Sequence, residues 1–176
     1  MGNEYFLSII VTFYNLEKYV YKCLDSVFLK QKTDYPIEVI AVDDGSSDST
    51  WELLSAYHHH RASNELKIVK QENSGVAATW NSAISMAKGK YILFLDGDDF
   101  LIDGNLDDFL KYVDTVNADI IVYAMSFFDS NCCLLYTSPL KVLPLLQTTT
   151  FSTPIFSSLS NRLTQERPHD KLFSLT

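Results

Sequence analysis

The densest chemistry in the sequence lies in Tyr91–Phe100, YILFLDGDDF, where an apolar and aromatic run ends in Asp96, Asp98 and Asp99. Side chains alternate along extended backbone, so Asp96 and Asp98 are expected to project to the same side and to reach one ion. No His or Cys stands beside them, and hard carboxylate oxygens favour Mg2+ or Mn2+ over zinc. A calcium EF-hand loop does not fit, because Phe100 occupies a position that needs a third ligand. A solvated acidic loop is the plainer account of an isolated triplet. These acids, however, follow a strand that is apolar on both faces and join three other polar strand ends, which favours a metal site holding a diphosphate.

The second acidic segment is DDGSSDST, Asp43 to Thr50. A tight turn and a helix start account for part of it: Gly45 takes backbone angles that other residues avoid, and Asp48 favours the positive end of a helix dipole. Ser49 and Glu52 have capping-box spacing. Asp43 and Asp44 are left at the strand end, where an acceptor-only carboxylate needs NH or OH donors. The imide NH of a nucleobase, or a ribose, would supply them. A phosphate-gripping loop is disfavoured, since two acids repel an anion and no glycine-rich pattern with its lysine is present. The remaining polar strand ends are TFYN, Thr12 to Asn15, and QENSG, Gln71 to Gly75.

The elements that must position these groups follow from periodicity. Short apolar runs at Leu7–Val11, Val39–Val42, Ile68–Val69, Ile92–Leu95 and Ile120–Tyr123 read as buried strands. Helical spacing lies between them at Leu16–Leu29, Thr50–His59, Val76–Ala87 and Leu106–Val116. The alternation predicts an α/β fold with a mostly parallel sheet and helices on both faces. In such sheets ligands bind beyond the carboxyl ends of the strands, where all four polar segments fall. Ser74 is expected to cap the third helix, with Lys88 in its last turn and Gly89 as its left-handed terminator. Past Asp129 the rhythm breaks, four of the five prolines fall there, and edge strands, loops and one short helix are expected.

Composition narrows the function classes. The 176 residues are 47% hydrophobic and 13% aromatic, enough for one folded domain with a core. A net charge of -8 argues against a nucleic acid partner. No run has the length of a membrane span and no secretory leader pattern opens the chain, so a cytoplasmic protein is expected. Cys23, Cys132 and Cys133 lack zinc spacing and the even count of a disulfide framework, which fits a reducing compartment. The adjacent pair reads as two small strand residues. His58, His59 and His60 point about 100° apart on a helix and read as a solvated helix end.

In this order, SIIVTFYN, IEVIAVDDGSSDST and NSGVAATWNSAISMAKGKYILFLDGDD resemble the family 2 glycosyltransferases, inverting enzymes of the GT-A fold. The resemblance spans Ser8 to Phe128. It implies a GT-A nucleotide-sugar-binding domain over 1–128 and the start of an acceptor-side segment over 129–176, expected to be incomplete. It also implies a UDP-sugar donor, with Thr12 and Tyr14 lining the nucleobase pocket, Asp44 on the uracil and Asp96 on the sugar or ribose. Asp98 is implied to hold Mn2+ or Mg2+ bridging the diphosphate, with Asp96 and Asp99 as further candidate ligands. An acceptor hydroxyl then attacks from the opposite face while a carboxylate base takes its proton. The acceptor class implied is a glycan or lipid-linked glycan in polysaccharide or glycoconjugate synthesis, with peripheral membrane contact where the acceptor is lipid-bound.

Two departures qualify the match. Family members commonly carry ARN in the third helix where this chain has TWN, and Trp80 shares a helical stripe with Val76, Ile84 and Ala87, which predicts a core tryptophan. HDKLFSL resembles the motif that precedes the acceptor side, yet Glu166 and Asp170 do not match the family base, which is expected beyond Thr176. Two other classes remain open: a non-catalytic nucleotide-sugar-binding module, and a haloacid-dehalogenase-like phosphatase with Asp96 as nucleophile. The phosphatase motif normally opens its domain, whereas three strand-helix units precede it here.

Overall fold

Four strands pair in parallel in the order β3-β2-β1-β4, formed by β1 (Tyr5–Phe13), β2 (Ile37–Asp43), β3 (Leu66–Lys70) and β4 (Gly89–Asp96). The computed structural model describes residues 5–61, 65–116, 120–122, 125–128, 134–137, 141–143 and 172–175. Helices α1 (Val20–Phe28), α2 (Thr50–Arg61) and α3 (Val76–Met86) link successive strands. A two-residue strand, β5 (Phe100–Leu101), precedes α4 (Leu106–Thr115); it was too short to register as a periodic run.

Alternation along β1 divides the core. Leu7, Ile9, Val11 and Phe13 meet Val20, Leu24 and Val27 of α1, Leu54 and Tyr57 of α2, and Leu106 and Leu110 of α4. On the other face Ile10 joins Ile40 and Val42 of β2 beneath Ala83, Trp80 and Ile84 of α3. Helices therefore cover both faces, as both apolar faces of a parallel sheet require. Each fully buried aliphatic side chain contributes about 1.5–3 kcal/mol of transfer free energy. Trp80 stacks near Phe94 at 5.1 Å between ring centroids, which bears out the core reading, while Val76 is exposed and falls outside that stripe.

Several boundaries differ from the sequence reading. α1 starts at Val20 rather than Leu16, because the amides of Leu16 and Glu17 donate to Thr50 Oγ1 and Asp48 Oδ2 instead of entering a helix. Ser49 occupies the N-cap position of α2, its carbonyl accepting the Leu53 amide, but its own NH donates to Glu17 Oε2 and not to Glu52. At α3 the N-cap is Gly75 and not Ser74, whose NH and hydroxyl both turn to Asp44. α3 ends before Lys88, and Gly89 opens β4 instead of terminating the helix. A side chain at Gly89 would put Cβ 2.5 Å from the Ser8 amide nitrogen, so close strand approach selects glycine there. Gly45 does adopt a positive φ, 74°.

The other strands form a sheet ordered β5-β10-β7-β8, with β7 (Met125–Phe128), β8 (Leu134–Thr137) and β10 (Leu172–Leu175), and a pair of β6 (Ile120–Val122) with β9 (Lys141–Leu143). β10 runs parallel to β5 and antiparallel to β7. Cys132, Cys133, Glu166, Asp170 and the short helix expected past Asp129 lie outside the described residues.

Candidate active site

The sheet ends level at the polar edge. Thr12 stands in register with Val42 on one side and Asp96 on the other, and Asp43 faces Lys70. The ladder then runs one step past the strands: Gly97 N donates to Thr12 O at 3.0 Å, Asp44 N to Phe13 O at 2.9 Å and Gln71 N to Asp43 O at 3.0 Å. Each loop is thus tied to the neighbouring strand before it departs.

The acids of the fourth strand do not continue in extended backbone. The Asp99 amide donates to the Asp96 carbonyl at 2.9 Å, so Asp96–Asp99 is a reverse turn. Same-side projection of Asp96 and Asp98 along a strand is therefore replaced by a tighter convergence. Carboxylate oxygens of Asp96, Asp98 and Asp99 lie within 4.8 Å of one another, with Asp99 buried and the other two half-buried. Gly97 makes the turn possible, since a Cβ there would lie 2.4 Å from the Phe13 ring and 2.7 Å from the Thr12 carbonyl oxygen.

The donor set fits a hard divalent cation. Three carboxylates can offer oxygen ligands to Mg2+ or Mn2+. Behind them Cys23 of α1 is fully enclosed, its Sγ 3.9 Å from the Asp96 carbonyl oxygen. Burial, then the nearby charges of Asp99, Asp98 and Asp96, push its thiol well above the usual cysteine range, so it remains a neutral S–H and offers no thiolate to attract a softer metal. The histidines of α2 take no part in this cluster.

The Asp43–Asp44 pair splits. Asp43 is fully buried; its Oδ1 accepts the NH of Ser46 at 3.2 Å and the Ser46 hydroxyl, while Oδ2 meets no hydrogen-bond donor among the described residues. Asp44 is almost as buried, but its needs are met within the chain. Its Oδ1 accepts Gln71 Nε2 at 2.8 Å, Ser74 N at 3.0 Å and the Ser74 hydroxyl at 3.3 Å, and its Oδ2 accepts Gly75 N at 3.0 Å. Burial alone would raise its pKa; the bonds from the Ser74 amide, Gln71, Thr79 and the Gly75 amide outweigh that and hold it below the usual carboxylate range. The β3–α3 loop thus already supplies Asp44 with four donors, so that a ligand is not needed to satisfy it.

Around these acids Thr12 is half-buried and Tyr14 is 52% exposed. Beside Phe100, which follows the acidic turn, Lys22 of α1 places its ammonium 4.1 Å from the ring centroid. The roles of Gln71 and Asn15 were missed in the sequence, where they appear only as members of polar loops, and Ser74 was read as a helix cap; spacing gives no sign that a carboxylate 27 to 31 residues earlier would organise Gln71, Ser74 and Gly75.

Comparison with known proteins decides the family. The sequence pattern described as Glycosyl transferase family 2 matches residues 8–159. The chain belongs to glycosyl transferase family 2. Glycosyltransferase GlyG of Streptococcus pneumoniae serotype 4 is 37% identical over 117 residues, covering 66% of this chain and 38% of that protein. S. aureus TarS 1-349 in complex with UDP superposes with a TM-score of 0.55 at 33% identity, covering 68% of this chain and 34% of TarS; the same protein is also known in complex with UDP-GlcNAc. Mannosyltransferase PcManGT from Pyrobaculum calidifontis, in complex with GDP-Man and Mn2+, matches with a TM-score of 0.56 at 25% identity, covering 68% of this chain and 34% of PcManGT. The family 2 chain has the GT-A fold of these structures and spans little more than a third of their length.

Proposed function

We propose that this family 2 chain is the donor-binding part of an inverting, metal-assisted glycosyltransferase. It takes the sugar of a UDP-sugar to an acceptor hydroxyl on a glycan or lipid-linked glycan, in polysaccharide or glycoconjugate synthesis. The observation that carries this reading is the three-carboxylate turn at Asp96–Asp99, tied through Gly97 to Thr12 at the level end of the sheet. The UDP and UDP-GlcNAc complexes of TarS favour a uridine donor, and Mn2+ in PcManGT favours a divalent cation.

On this reading Thr12 and Tyr14 line the nucleobase pocket, Asp44 meets the uracil through whatever acceptor capacity its internal bonds leave, and Asp96 contacts the ribose or sugar. Asp98, with Asp96 and Asp99, holds Mn2+ or Mg2+. Bound there, a divalent cation supplies Lewis acidity against the negative charge that develops on the departing diphosphate. The chain's own part is to aim the donor: the strand ends fix the acids, the turn converges them, and the loops wall the nucleobase from water. Inversion places the acceptor hydroxyl on the opposite side of the anomeric carbon, so its proton goes to a base on the acceptor side rather than to these strand ends. Among the described residues no helix is long and apolar enough to cross a membrane; we place the protein in the cytoplasm, with peripheral membrane contact where the acceptor is lipid-linked.

Calorimetric titration of UDP and GDP, each with and without Mn2+, tests the reading. UDP is expected to bind more tightly than GDP and to gain affinity from Mn2+, and the gain is expected to vanish in Asp98→Asn. Equal UDP affinity with and without metal would remove the metal role, and failure to bind any nucleotide would sink the whole proposal.

A further inference from the structure

Among the described residues, Asn15 is the only one besides glycine with a positive φ, 55°. That conformation is strained for most L-residues, and Asn tolerates it best when its side chain finds local partners. Here it finds them across the sheet edge. The Asn15 amide donates to Ser46 Oγ at 2.9 Å, and Asn15 Oδ1 accepts the Ser47 amide at 2.8 Å and the Ser47 hydroxyl at 3.2 Å. Ser46 in turn bonds Asp43 Oδ1.

The stitching continues along the same loop. Leu16 N donates to Thr50 Oγ1, Glu17 N to Asp48 Oδ2, and Ser49 N returns a bond to Glu17 Oε2. The β1–α1 loop is thereby sewn to the β2–α2 loop, and the residue just ahead of the left-handed step is Tyr14. Phe13 on one side of it is buried and Asn15 on the other is clamped, while the Tyr14 side chain stands out at 52% exposure. A large aromatic surface held by a backbone fixed at both ends is the arrangement that stacks on a planar ligand with little further ordering cost.

We propose that Asn15 is a positioning residue for nucleotide binding: its left-handed backbone and its clamp on Ser46 and Ser47 hold the Tyr14 ring in place as a stacking face for the nucleobase. This rests on the donor-binding reading above. Stacking of a base on an aromatic side chain is lost on alanine substitution, so loosening the ring removes part of that gain in affinity and Tyr14→Ala removes all of it.

The test is a double-mutant cycle on UDP affinity, read by calorimetry on the full chain with melting temperatures alongside. Asn15→Gly accepts the positive φ but lacks the clamp, and is expected to weaken UDP binding about fivefold to tenfold. Asn15→Asp keeps both the acceptor oxygen and tolerance of the left-handed region, and is expected to bind within about twofold of wild type. If Asn15 acts through Tyr14, the double variant Tyr14→Ala/Asn15→Gly binds no more weakly than Tyr14→Ala alone. Should Asn15→Gly not fold, Ser46→Ala opens the clamp from the other side without touching the backbone, and its loss must likewise disappear in the Tyr14→Ala background. Additive losses, or a wild-type affinity for Asn15→Gly, overturn the proposal while leaving the donor site standing. A wild-type chain that binds no nucleotide overturns both.

Discussion

The Asp44 carboxylate and the Gly75 amide, 31 residues apart in sequence, meet at 3.0 Å, so the acid of one loop serves as the cap of the helix that follows another. This explains why α3 begins at a glycine with no side-chain cap of its own. A carboxylate at a helix N-terminus is favoured both by the amide donors that the first turn leaves unpaired and by the helix dipole.

Asp44→Asn is therefore expected to destabilise the fold by about 1–3 kcal/mol at neutral pH, because its amide presents hydrogens where the loop already points donors. The pH dependence has a definite sign. The folded-state pKa of Asp44 lies below its unfolded value, so its contribution is fully present above the unfolded carboxylate pKa and is lost as pH falls through the folded one. Urea unfolding of wild type and Asp44→Asn across the acid range checks this: the two stabilities should converge as pH falls. A constant gap would sink the assignment.

Gly97→Ala is expected to cost about 1–3 kcal/mol, since the added methyl meets the Phe13 ring and the Thr12 carbonyl oxygen rather than the tip of a flexible side chain. Relief by backbone movement would sacrifice the Gly97 amide bond to Thr12. Denaturant titration measures the loss, and a variant as stable as wild type would contradict the close approach.

The three acids of the turn repel one another when no cation is bound. Two unit charges about 4 Å apart oppose each other by about 1 kcal/mol even at the dielectric of water. Asp98→Asn should accordingly raise the metal-free melting temperature by about 2–4 °C while abolishing the stabilisation that Mn2+ gives the wild type. Differential scanning fluorimetry with EDTA and with Mn2+ separates the two effects; a variant that keeps its Mn2+ shift removes Asp98 from the ligand set.

Cys23 is expected to resist alkylation in the native protein at pH 8 and to react once the chain is unfolded, because it is both enclosed and held as a neutral thiol by burial and the neighbouring acids. Peptide mapping after iodoacetamide treatment reads it directly. Native labelling at Cys23 would mean that α1 does not close over the acidic turn as described.

The four-stranded sheet and the helices on its faces were legible in the sequence because period-2 and period-3.6 patterns record burial, and burial is what those elements share. Thr12, Asp44 and Asp96 fell at strand ends for the same reason. What escaped was everything set by contacts between loops. Nothing in DGDD distinguishes a strand continuation from a reverse turn, since the deciding bond joins Asp99 N to Asp96 O and the deciding space is a ring 84 residues earlier, at Phe13. Ser74 looked like a cap because serine is a good one in isolation; the buried charge of Asp44 competes for the same donors and wins. The clamp at Asn15 was invisible because a left-handed residue carries no periodic signature.

The register of β1 against its two neighbours has a consequence for how this edge can change. Thr12 lies level with Asp96 in the same ladder that sets Ile9 beside Leu93 and Val39. A one-residue slip of β1 would exchange the side chains packed under one helix layer for those packed under the other and, in the same movement, carry Thr12 out of line with the acidic turn. Core and binding edge are graduated on one ruler, so an insertion or deletion within β1 loses solubility and ligand together, and variation that alters only the ligand has to enter through the loops.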